Sequence, residues 1–204
     1  MTDKITNEII RQMNKLIVIS APSGAGKTTL CRKLFTDFPE LRLSISTTTR
    51  APRGAEKEGV EYFFVTKETF QEKIKNDGFA EWAEVHGNYY GTSKEFISST
   101  FSEGRSVLLD IDVQGAETLK RLYPEQSLLI FIEPPSIAEL ERRLRGRGTE
   151  SEESIQKRMK NSLQEIANSS FFDQRVVNDS IDEAYFQLAS IVSHSVRGKL
   201  YASH

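Results

Sequence analysis

The chain carries one cysteine, Cys31, in 204 residues, so an internal disulfide is excluded and a reducing compartment is the natural setting. It contains no apolar run near the roughly 20 residues that a membrane-crossing helix needs. Its first residues, Met1 to Glu8, lack the charged and apolar regions of a secretory signal. A cytoplasmic protein without membrane contact is the expectation. Excess charge of one sign is also missing: 27 Lys and Arg face 29 Asp and Glu, a formal net charge of −2. That balance argues against a basic protein that coats nucleic acid, and any functional positive charge must be concentrated locally. His86, His194, His204 and Cys31 are too scattered for a metal site. There is no internal repeat or low-complexity tract. The oligomeric state stays open, self-association into a homo-oligomer included.

What is present reads as an α/β fold with a five-stranded parallel core sheet, because apolar strand-like runs alternate with helical patterns. Strands are expected at Leu16–Ile19, Leu43–Ile45, Val107–Ile111, Leu128–Ile132 and Arg175–Val177, with helices after Gly26, Gln114, Ser136, Ser151 and Ser180. Capping-box spacing marks three helix starts: Ser136 with Glu139, Thr149 with Glu152, and Ser180 with Glu183. Between Ser46 and Gly104 the pattern changes to short strands (Val60–Val65, Phe79–Val85, Asn88–Gly91), a turn at His86–Asn88, and helices over Lys67–Lys75 and Lys94–Ser102. Arg142–Ser154, basic and then acidic, reads as a helical lid. The chain is expected to form a single domain, with its core at about 14–45, 105–141 and 171–204, a mixed insertion at about 46–104, and the lid at about 142–170. Met1–Met13 forms a weak amphipathic pattern and reads as a peripheral arm.

The run Ala21-Pro22-Ser23-Gly24-Ala25-Gly26-Lys27-Thr28-Thr29 follows the first strand and opens a helix. It matches the phosphate-binding loop G-x-x-x-x-G-K-[ST] except that Ala21 replaces the first glycine. Backbone N–H groups of such a loop curl around a phosphate at a helix N-terminus. Lys27 then reaches the outer phosphates of ATP, and the Thr28 hydroxyl binds Mg²⁺. Ala21 lies at the strand exit, where a methyl is expected to fit. Asp110 and Asp112 end the third core strand on one side of it and are candidates for help with Mg²⁺. Arg50 and Arg53, with hydroxyls before them and Tyr62 after, suit a phosphate monoester, which Arg can grip in a planar fork.

Taken together, P-S-G-x-G-K-T, S-x-S-x-T-T-R-x-P-R-x-x-E, G-N-Y-Y-G-T, L-D-I-D-x-Q-G and R-L-x-G-R-G-T-x-[ST]-E-E resemble the guanylate kinase family in order and spacing, from about Leu16 to about Ile191. The resemblance implies Mg²⁺-dependent transfer of the γ-phosphoryl group of ATP to GMP. It places Ser46, Glu81, Thr92 and Asp112 around guanine and Arg50, Arg53, Tyr62 and Tyr90 on the GMP phosphate. Arg143, Arg147 and Arg158 would close over the ATP phosphates, and Asn178 would neighbour adenine. The chemistry fits, since guanine N1–H and its exocyclic amine are adjacent donors that one carboxylate, Glu81, can accept. Its O6 could be served by hydroxyls from Ser46 and Thr92. Two other readings stay open here: a related kinase acting on a ribose bisphosphate, and a non-catalytic binding domain built on the same fold.

Overall fold

Alternation along the first strand, Leu16–Ser20 (β1), sends its apolar side chains to opposite faces, and both faces are buried. Ile17 and Ile19 pack with Leu30 and Leu34 and with Leu188 and Val192 on one side. Leu16 and Val18 pack with Ile97, Val113, Ala116 and Leu119 on the other. The computed structural model describes residues 14–85, 87–146 and 151–197. The Met1–Met13 arm, His86 of the turn, Arg147, Thr149 of one capping box and His204 lie outside the described residues.

The core sheet has five parallel strands in the order β2-β7-β1-β8-β9, formed by Leu41–Leu43 (β2), Ser106–Asp110 (β7), β1, Ser127–Glu133 (β8) and Gln174–Val177 (β9). Seven helices occur among the described residues: Lys27–Asp37 (α1), Lys67–Lys75 (α2), Lys94–Ser102 (α3), Val113–Leu122 (α4), Ile137–Arg145 (α5), Glu152–Ala167 (α6) and Ile181–Arg197 (α7). β1 stands at the centre, where successive connections run to opposite sides, and ligands of such sheets bind beyond the carboxyl ends at this point.

The second sheet has the order β4-β3-β6-β5 and comprises Thr47–Thr48 (β3), Phe63–Phe64 (β4), Phe79–Val85 (β5) and Asn88–Ser93 (β6). β5 and β6 pair antiparallel, setting Glu81 opposite Thr92. Phe70 of α2 is fully buried and stacks on Phe79 at 4.4 Å and on Tyr89 at 5.5 Å. A side chain at Gly91 would stand 2.9 Å from the Phe79 ring, so glycine lets the helix close on this sheet. On the outer side Trp82 is exposed and meets Tyr89 edge-on at 5.9 Å.

Helices α2 and α3 have the bounds expected from the sequence. Four corrections apply elsewhere. β2 is Leu41–Leu43, not Leu43–Ile45, because Leu41 takes the buried slot beside β7. The expected strand Val60–Val65 shrinks to Phe63–Phe64, since Val60 N–H turns back to the Lys57 carbonyl. Strand β3 was not expected at all. The third core strand stops at Asp110, so Asp112 is no longer part of it and instead caps α4 by accepting from the Gly115 N–H at 2.8 Å.

Candidate active site

The loop between β1 and α1 is shaped by Gly24 and Gly26, whose φ values of 96° and 90° fall where a side chain is strained. Ala21 has no such φ and is buried in the core against β1 and α1, which is why its methyl is tolerated. Pro22 accepts from the Ala25 N–H at 3.1 Å. Gly26 opens α1 without a side chain to cap it, and the first turn holds no acid. The free N–H groups and the helix dipole therefore face a cavity of about 400 Å³ lined by Ala21, Pro22, Ser23, Gly24, Gly26, Lys27, Thr28, Thr29 and Glu165. Thr28 and Thr29 are exposed in that first turn.

Lys27 pairs with Asp110 at the end of β7 and donates to the Ile111 carbonyl at 3.4 Å. Burial pulls the ammonium towards neutrality, but the Asp110 charge and hydrogen bond outweigh it and hold its pKa above the ordinary value. No group of three or more His, Cys, Asp or Glu that could hold a metal occurs among the described residues.

Asn178 was expected beside adenine. It is buried against the loop, its side-chain amide donating to the Ala25 carbonyl at 2.7 Å and filling the place that a side chain on Gly26 would take. Asn178→Ala leaves a buried carbonyl without its donor and is expected to cost about 1–3 kcal/mol. Thermal unfolding reads that loss, and an unchanged midpoint would remove Asn178 from the loop's support.

Helices α5 and α6 reach the same loop. Leu140 and Leu144 of α5 pack so near Gly24 that a side chain there would sit 3.1 Å from Leu144. Arg158 of α6 donates to the Ser23 hydroxyl. Glu165, two turns further on the same helix face, accepts from the Ser23 N–H. Burial raises the pKa of this carboxyl, with Lys27 opposing and Asp112 adding to the shift. Arg143 donates to Glu139 at 2.7 Å.

A second cavity of about 260 Å³ opens on the far side of Lys27 and Asp110, lined also by Ser46, Tyr62, Glu81, Ala83, Val85, Tyr90, Ile111 and Asp112. Glu81 is buried at its wall, and burial pushes its carboxyl up to about 7, helped by Asp112 and opposed by the Thr92 hydroxyl. Thr92 is fully buried and its hydroxyl donates to Glu81 Oε1.

At the rim, Arg50 lies 5.2 Å over the Tyr62 ring and donates to Glu56 at 2.9 Å and to the Ala51 carbonyl at 2.8 Å. Glu56 first, then the Tyr90 hydroxyl, holds the guanidinium above its ordinary pKa against burial. Tyr62 and Tyr90 meet edge-on at 5.9 Å. The Arg53 side chain is exposed, while its backbone N–H donates to Glu56 at 2.8 Å. Glu56 closes the R-x-P-R-x-x-E motif, and its spacing after Arg53 is the only sign of this contact in the sequence. Glu165 gave only a charge on a charged helix.

Two wider clefts, about 680 and 740 Å³, flank α6, but neither includes the loop amides or Lys27. A family model described as guanylate kinase matches residues 13–195. A guanylate kinase of Fusobacterium nucleatum subsp. nucleatum is 50% identical over 91% of this chain and 99% of its own length. One from Anaeromyxobacter dehalogenans is 50% identical over 88% of this chain and 80% of its own. The crystal structure of guanylate kinase from Anaplasma phagocytophilum superposes with a TM-score of 0.73 at 33% identity, covering 93% of this chain and 88% of that one. With the phosphate loop, the acidic second pocket and these relatives in agreement, the chain belongs to the guanylate kinase family.

Proposed function

We propose that this chain transfers the γ-phosphoryl group of ATP to GMP, giving ADP and GDP, in the cytoplasm, where its lone buried Cys31 stays reduced. The observation that carries the reading is a shared residue: Lys27 lines both the phosphate-loop cavity and the pocket that holds Glu81, and its partner Asp110 lines the second. A phosphoryl group passing between the two sides meets an ammonium at the crossing. A sugar-phosphate acceptor would bring Glu81 no donor beyond the Thr92 hydroxyl it already has, so the ribose bisphosphate reading loses ground.

In this mechanism the loop N–H groups and Lys27 hold the ATP phosphates, and Lys27 trades Asp110 for them. Arg158 is already at the loop, and Arg143 and Arg147 join it on closure. Arg50, Arg53, Tyr62 and Tyr90 hold the GMP phosphate, for which Arg50 must exchange Glu56. Ser46, Glu81 and Asp112 surround guanine, and Thr92 acts through Glu81. Mg²⁺ takes hard oxygen ligands, usually one or two from protein with the rest from phosphates and water. The Thr28 hydroxyl and the Asp110 carboxylate would hold the ion, which would neutralise charge on the phosphates. No general base is required, because the attacking oxygen belongs to a phosphate largely ionised near neutral pH. Catalysis is positioning plus electrostatics.

The test is ADP formation from ATP with GMP, AMP, CMP or UMP as acceptor. GMP is expected to be used, and AMP to fall behind in kcat/KM by about 10⁴-fold, since adenine turns an acceptor at N1 towards the Glu81 carboxylate. Equal rates with AMP and GMP would sink the reading.

A further inference from the structure

We infer that Gly115 is a specificity-determining position: its missing side chain lets the Glu81 carboxylate occupy the place from which it reads the acceptor base. The inference rests on the proposed contact between Glu81 and guanine and adds a residue to it.

Gly115 is the third residue of α4, buried, and has no positive φ. Backbone freedom is therefore not its purpose. Glycine inside a helix costs about 1 kcal/mol relative to alanine, so something must offset that cost. A β-carbon there would stand 2.8 Å from Glu81 Oε2, 3.3 Å from Glu81 Cδ and 3.2 Å from Ile111 Cδ1. Each of these atoms belongs to a side chain, and the tightest is the outer carboxylate oxygen.

The remaining contacts determine which group gives way. Helix α4 cannot retreat, since Ala116 and Leu119 are fully buried in the core beneath it and Asp112 pins its first turn through the Gly115 N–H at 2.8 Å. Strand β5 is fixed by its register, Glu81 against Thr92. The Glu81 carboxylate, tethered at Oε1 by the Thr92 hydroxyl, is the mobile member. A methyl at 115 is thus cheap for the fold and displaces the carboxylate that accepts from the guanine N1–H and amine.

Gly115→Ala is expected to leave the thermal midpoint unchanged or raise it, by helix propensity. KM for GMP should rise about tenfold or more, the scale of a lost hydrogen bond to a charged group. KM for ATP should stay within about twofold, because Ile111 meets Lys27 through its backbone carbonyl and position 115 only through the far end of its side chain, and the preference for GMP over AMP should shrink. Glu81→Gln is measured alongside. If Glu81→Gln weakens GMP use while Gly115→Ala does not, the role of Gly115 is overturned and the Glu81 reading stands. If neither variant changes GMP use, both ideas fail. A parallel rise in KM for both nucleotides, with a lower midpoint, would mark a packing defect and overturn the inference.

Discussion

Lys27→Met is expected to lower the turnover of GMP by about 10³-fold. Removing one positioned donor from a transferring group typically costs about 10²–10³ in kcat. The loss is larger here because of what stays behind. Asp110, now paired with Lys27, would lose that partner while two polyanions gather beside it. Methionine keeps the length and apolar stem of lysine, so packing around the loop changes little. Single-turnover measurement of ADP formation isolates the chemical step, and a separate titration with GMP checks that the acceptor pocket survives. A kcat within about tenfold of the parent would remove Lys27 from the chemistry.

Glu81→Gln is the second large effect, expected to lower kcat/KM for GMP by about 10²-fold or more while ATP binding holds. Glutamine turns an amide donor towards guanine donors, so a pair of attractions becomes a clash. The pH profile gives an independent signature. Guanine N1–H and its amine need an ionised Glu81, but burial pushes that carboxyl up to about 7. GMP affinity is therefore full above about pH 7 and falls about tenfold per unit as pH drops below it. The phosphate of GMP titrates near pH 6 and adds its own slope, which the variant keeps. The part of the slope that disappears in Glu81→Gln belongs to Glu81. Stability has the opposite sign. A carboxyl that binds protons more tightly folded than unfolded costs stability as pH rises from its ordinary range to about 7. Glu81→Gln should thus raise the melting midpoint of the empty protein above neutral pH. A KM for GMP with the same pH slope in parent and variant would be incompatible with this role.

Three of the five core strands, β1, β7 and β8, were legible because they are apolar on both faces, a pattern that few other elements share. The phosphate loop was legible because its glycines, lysine and strand-to-helix context coincide. Other features depend on partners distant in sequence. Thr47–Thr48 is a strand only because Tyr90, Gly91, Phe63 and Phe64 lie beside it. Asp112 could have extended a strand or capped a helix, and the Gly115 N–H decided between them. Thr92 carries a hydroxyl suited to a base, yet the β5–β6 register spends it on Glu81. Glu165 and Arg158 look like an ordinary charged helix face until α6 is set against Ser23.

Trp82 follows Glu81 along β5, stands exposed and touches Tyr89, the neighbour of Tyr90. It is also the only tryptophan in the sequence. The protein's indole emission therefore comes from a single address on the strand that forms the acceptor pocket. No other indole dilutes the signal, so events at this pocket have a built-in optical probe that events confined to the phosphate loop lack.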